Sequence, residues 1–151
     1  MQKKMISASF LLVAMICIVS GNASAQTRFG FRAGVTAGPN QFHFGPHFIT
    51  DPLIGNLTFR PNLEIGVGSH VTTIAGNVEF AYAIPISKTD TSVYLGAGPA
   101  LNVYHRHSDT NTGGGFNILV GAEHKNGLFG EIKVGAFDSA DFKFSVGFTF
   151  Q

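Results

Sequence analysis

Tryptophan is absent from the 151 residues, tyrosine occurs three times and cysteine once. The single cysteine, Cys17, lies inside an N-terminal apolar run, so the chain beyond that run has no disulfide framework and no thiolate chemistry. Charge is scarce: Asp, Glu, Lys and Arg make up 13% of the chain, where a water-facing surface is usually about a quarter to a third charged. With a formal net charge of +1 and no basic stripe, nucleic acid is excluded as a partner. Beyond the N-terminus no apolar run approaches about 18 residues, so no helix there is expected to span a bilayer. No segment shows a helical apolar period either.

The N-terminus carries its own pattern. Lys3 and Lys4 precede the apolar stretch Met5 to Val19, interrupted only by two serines, and Ala23-Ser24-Ala25 follows. A positive start, a short apolar core and a small-x-small site define a cleaved secretory signal peptide over 1–25, leaving a domain over 26–151. The apolar stretch is short for a transmembrane helix of about 20 residues. Ile16 before Cys17 is too large for lipoprotein cleavage. An exported domain without disulfides must be stabilised by a sizeable core, a metal or a membrane.

What is abundant is glycine, 19 residues, and phenylalanine, 15. Their spacing has a period of two. The terminal segment shows it most clearly: Phe142, Phe144, Val146, Phe148 and Phe150 alternate with Lys143, Ser145, Gly147 and Thr149, giving one apolar and one polar face. Seven further strands are predicted, over Thr27 to Thr36, Gln41 to Ile49, Leu57 to Val67, Thr72 to Ile84, Ser92 to Tyr104, Gly115 to His124 and Leu128 to Ala136. Pro46 weakens the second. His105 to Gly114 reads as the longest polar loop, and Lys125-Asn126-Gly127 as a tight hairpin suited to a type I′ turn. Eight alternating strands with short connections describe an all-β, eight-stranded antiparallel up-and-down β-barrel, a closed meander without free edges.

Two barrels fit such a pattern. A soluble, lipocalin-like carrier turns apolar side chains inward; a transmembrane barrel turns them outward. The second face decides. It carries Arg28, Arg32, Arg60, Lys133 and Lys143 against Glu64, Glu79, Glu123 and Glu131, with glycine and alanine between. Five positive and four negative charges suit a narrow lumen closed by ion pairs, with Lys143 facing Glu131 or another acid. The phenylalanine-rich face is too bulky for the inside of a small barrel. Strands of about 9–11 residues tilted near 45° match the hydrocarbon thickness.

On the segments Phe29-Gly30-Phe31-Arg32-Ala33-Gly34, Phe59-Arg60-Pro61-Asn62-Leu63-Glu64, Gly96-Ala97-Gly98-Pro99 and Val146-Gly147-Phe148-Thr149-Phe150, the chain resembles the small eight-stranded outer-membrane β-barrels of Gram-negative bacteria, the OmpA and OmpX kind. The resemblance implies a cell outer-membrane, porin-like barrel with outer-membrane lipid around it. It also implies that Phe142, Phe144, Val146, Phe148 and Phe150 form the signal read by the β-barrel assembly machinery, although Gln151 follows the aromatic residue. Both termini are expected on the periplasmic side, with the connections near Gly38, Ser69, Asp109 and Ser139 at the cell surface. The fold hosts many activities, so it does not by itself assign one.

Candidate chemistry is thin. His43 and His47 would lie on one strand face about 13 Å apart, too far to share an ion. His105, His107 and Asp109 fall in the polar loop, and His70 and His124 stand alone. A His-x-Ser pattern of the lipid-modifying barrels is missing; His107-Ser108 is adjacent instead. Gly113-Gly114-Gly115 leads into a strand and cannot serve as a phosphate loop. The expectation is a non-enzymatic integral barrel with a structural, surface-binding or minor permeation role, no cofactor and no metal. The alternatives are a small-molecule-binding or lipid-modifying barrel and the soluble carrier.

Overall fold

The computed structural model describes residues 27–151; the segment expected to be a signal peptide lies outside the described residues. The ten strands are β1 (Arg28–Ala37), β2 (Gln41–Ile49), β3 (Leu57–Phe59), β4 (Asn62–Val67), β5 (Thr72–Asn77), β6 (Phe80–Pro85), β7 (Thr91–Arg106), β8 (Asp109–His124), β9 (Leu128–Phe137) and β10 (Phe142–Thr149). They form one antiparallel sheet that closes on itself through β1 and β10.

Ten strands make eight spans. β3 and β4 are one span interrupted at Arg60-Pro61, and β5 and β6 one span interrupted at Val78-Glu79. Pro61 has no N–H to give the ladder. The register nevertheless runs unchanged through both gaps: Asn62 faces Asn77 on one side and Phe59 faces Phe80 on the other. Arg60 N donates to Glu79 O at 2.7 Å and Val78 N to Pro99 O at 2.9 Å. Each span pairs only with its sequence neighbours, so the sheet is a meander with no crossover.

Two local expectations are corrected. The stretch from His105 to Gly114 is not a loop. It forms the tip of the β7–β8 hairpin, paired as far as Arg106 and Asp109 around a two-residue turn at His107-Ser108. Alternating Tyr104, Arg106, Thr110 and Thr112 hold a ladder that composition alone disguised as a solvated loop. The turn after β8 is not type I′ either. Positive φ is confined to Gly127, at 97°, and Gly127 N donates to His124 O at 2.9 Å. That is a three-residue connection with glycine in the left-handed position, the G1-bulge form of a hairpin.

Alternation then sets which side chains point where. Phe31, Val35, Phe44, Leu95, Ile118, Val134 and Phe148 stand outward and are 41–59% exposed. Their strand neighbours are buried, or half-buried where they are glycines. The buried apolar cluster consists of Ala81, Tyr94 and Leu119, with Ala83 against it. So small a cluster supplies little of the hydrophobic stabilisation a water-surrounded domain of this length requires. The apolar area is on the outside.

Candidate functional site: the charged interior of the barrel

Inward positions on successive spans converge on the barrel axis because eight spans enclose little more than the width of two facing side chains. All nine charges singled out in the sequence point there. Six form a central cluster. Arg32 Nη1 reaches Glu131 Oε1 at 2.7 Å and Glu64 Oε1 at 3.5 Å. Lys133 Nζ lies 2.9 Å from Glu79, 3.3 Å from Glu64 and 3.6 Å from Glu131. Lys143 Nζ lies 2.6 Å from Glu64 Oε2. Of the acids open to it from sequence, Glu131 or another, Lys143 therefore has Glu64 as its partner. Three cations and three carboxylates balance, which is the condition for tolerating buried charge.

The remaining three sit nearer the termini. Arg28 Nη1 and Arg60 Nη2 approach the two oxygens of Glu123 at 3.2 and 2.9 Å. The Arg60 guanidinium lies over the Tyr94 ring, 4.0 Å from its centroid. The Tyr94 hydroxyl donates to Glu131 Oε2 at 2.9 Å and so links the two groups.

An amide ladder, not recognised from sequence, runs beside the ions. Asn117 Nδ2 donates to Asn77 Oδ1, Asn77 Nδ2 to Asn62 Oδ1 and Asn62 Nδ2 to Glu79 Oε2, at 2.7–2.8 Å. The asparagines occupy inward positions at one level of neighbouring or facing spans: Asn62 is directly opposite Asn77. The available signal was the recurrence of Asn at inward parity; what was lacking was the register.

Register also explains the inward glycines. Tyr94 is directly opposite Gly121, Phe129 opposite Gly147 and His47 opposite Gly30. A Cβ on any of these glycines would land within 3.0 Å of the facing ring. Each large ring thus lies across the strand that carries no side chain, which fills the lumen without a steric clash.

The two inward histidines are spent on hydroxyls. His43 contacts Thr36 Oγ1 at 2.7 Å and Ser145 Oγ at 2.8 Å, and His47 contacts Thr149 Oγ1 at 2.9 Å. Ser145 and His43 stand at the separation of a nucleophile and its base. Both are fully buried, however, and the second ring nitrogen meets a threonine rather than a carboxylate. Among the described residues no group of three or more His, Cys, Asp or Glu side chains is arranged to hold a metal ion. His105 bonds Thr110 at the hairpin tip, and His70 lies parallel to His107 with centroids 6.4 Å apart.

At the end away from the termini, the β9–β10 connection folds into the mouth. Ser139 and Ala140 are buried, and the Asp138 carbonyl accepts from Asn102 Nδ2 at 2.9 Å and from the Tyr104 hydroxyl. Beneath it, beside His43, Glu64 and Lys143, remains a cavity of about 10 Å³, the room of a single water. At the other end a cavity of about 210 Å³ opens beside Arg28, Arg60 and Glu123. Outside, Phe142, Phe144, Val146, Phe148 and Phe150 form a continuous row on the last span, each 41–52% exposed. Phe150 N donates to Phe29 O at 2.7 Å, extending the closing seam to the end of the row.

These features define a class: a closed eight-stranded antiparallel barrel, apolar outside and ion-paired inside. Its fold is similar to that of Neisserial surface protein A, with a TM-score of 0.57 over 84% of this chain and 96% of that one, at 12% identity. It is also similar to the N-terminal β-barrel domain of Pseudomonas aeruginosa OprF, with a TM-score of 0.61 over 84% of this chain and all of that domain, again at 12% identity. No family model matches the chain, and no curated protein sequence matches it.

Proposed function

We infer that this chain is an integral outer-membrane β-barrel protein, exported by the segment over 1–25, with a structural and non-enzymatic role and a lumen closed by its own side chains. The observation that carries this reading is the inversion of polarity: all nine barrel-wall charges chosen by parity face inward, while the large apolar side chains ring the outside. In water that arrangement exposes apolar area around the whole circumference; in a bilayer it meets lipid. The likeness in fold to a surface protein and to another β-barrel domain supports the barrel on which this reading rests. Outer-membrane lipid is then the principal partner, and the row from Phe142 to Phe150 is the segment offered to the β-barrel assembly machinery.

The connections support a structural over a surface-binding role. The seven links between spans are two to seven residues long, so apart from the tip of the β7–β8 hairpin little area projects for a protein partner. Central closure argues against a wide pore. The test is electrophoretic mobility in detergent with and without boiling, together with flotation on liposomes. A folded barrel shifts on boiling and floats. A protein that stays soluble without detergent and does not float is a carrier of the lipocalin kind, and the reading fails.

A further inference from the structure

The central cluster is balanced, three cations to three carboxylates, but the cluster at the terminal end is not. There Arg28 and Arg60 share the single carboxylate of Glu123, each through one nitrogen. Arg60 spends its Nε on Thr58 Oγ1 at 3.0 Å and lies flat on Tyr94. The lining of the adjoining cavity adds His124, Gln151 and the pair Lys125 and Asp90, which occupy each other at 2.7 Å. Lys125 holds the Asp90 carboxyl below its ordinary value by donating to it and by its charge. The pair adds no net charge. Two guanidiniums therefore face a cavity of about 210 Å³ with one carboxylate between them, against the roughly 10–15 Å³ that one water needs.

A guanidinium is a fixed planar fork that fits two oxygens of one anion; Arg60 is buried and Arg28, 27% exposed, stands at the rim, so the pair brings to the cavity one positive charge more than Glu123 balances. We propose that this mouth cavity is a binding site for a small oxyanion, of the carboxylate or phosphate class, seated on the fork nitrogens of Arg28 and Arg60 that do not face Glu123, with the Ser92 hydroxyl as a further donor in the wall. Tyr94 and Thr58 pre-set the Arg60 plane, so less side-chain freedom is lost when the anion arrives.

The experiment is an NMR titration of the arginine side-chain Nε–H resonances of the refolded barrel in maltoside micelles. The probes are inorganic phosphate, acetate and, as an anion that cannot bridge a fork, chloride. Saturable shifts of Arg28 and Arg60 are expected with phosphate or acetate and not with chloride. Arg28→Lys keeps the charge but loses the fork, and weakens binding about tenfold, the equivalent of about 1.4 kcal/mol. Lys88→Gln, on the neighbouring exposed connection, leaves it unchanged. A further arm adds phosphatidylglycerol to the micelles; shifts there without any response to free phosphate assign the oxyanion to a lipid headgroup. The proposal is overturned if phosphate and acetate act no differently from chloride and lipid adds nothing, or if Arg28→Lys and Lys88→Gln behave alike. A soluble carrier could still bind the anion, and a membrane barrel could fail to, so this result is separable from the location test.

Discussion

Lys133 on β9 and Glu64 on β4 stand on spans diametrically opposite in the eight-span barrel, yet their Nζ and Oε1 atoms lie 3.3 Å apart. Two side chains cross the full bore. Glu64 also receives Lys143 at 2.6 Å and lies 3.5 Å from Arg32, so one carboxylate ties together four spans.

Replacing Glu64 by Gln leaves Lys143 with no other carboxylate within 4 Å among the described residues and puts the central cluster in positive excess. Stranding a buried charge costs about 3–5 kcal/mol, whereas Asp109→Asn at the exposed hairpin tip costs within about 0.5 kcal/mol. Urea-dependent refolding into lipid vesicles measures both. Equal midpoints for the two variants would contradict the assignment of Glu64 to the load of the closed lumen.

Lumen packing makes a second, steric prediction. Gly121→Ala places a methyl group against the Tyr94 ring, while a Cβ at Gly114 meets nothing within 4 Å. Overpacking costs about 1–3 kcal/mol, so Gly121→Ala is destabilised and Gly114→Ala is not. Shortening the ring in Tyr94→Leu should recover part of the loss in the double variant. Additive losses would mean that the glycine is not there to make room for the ring.

Much of this is legible in the amino-acid sequence. Parity along each strand placed Arg32, Glu64, Lys133 and Lys143 on one face, because side chains alternate whatever the register is. What parity does not contain is the pairing between strands. The partner of Lys143, the Asn117–Asn77–Asn62 ladder and the facing of Tyr94 on Gly121 all depend on how far each strand slides along its neighbour. The hairpin from His105 to Gly114 was hidden for a different reason. It rises beyond the apolar belt, so both of its faces are polar and the alternation that marks a strand disappears.

The outer belt predicts a depth dependence. Ile118, 56% exposed, pairs with Ala97 and Val134 in the middle of the wall, and Leu128, also 56% exposed and on the same outer face, stands at the start of β9 beside the β8–β9 turn. Arginine on a lipid face costs about 2–4 kcal/mol at the bilayer midplane and about 0–1 kcal/mol near the interface. Ile118→Arg should therefore lower refolding stability in vesicles far more than Leu128→Arg. Like losses at the two depths, or a loss at Ile118 that persists unchanged in lipid-free buffer, would count against a bilayer around this surface.

The two ends of the lumen predict different consequences of loosening. Asn102 and Tyr104 both donate to the Asp138 carbonyl and so hold the β9–β10 connection in the mouth. Removing one donor, as in Asn102→Ala, forfeits about 1 kcal/mol. By that amount the backbone amides of Ser139 and its neighbours exchange with deuterium roughly fivefold faster. Conductance across a planar bilayer should nonetheless stay silent, because the bore below is still crossed by Lys133, Glu64 and Glu79. If Asn102→Ala alone opened discrete current steps, the seal would lie in the connection and the ion pairs would be lining rather than plug.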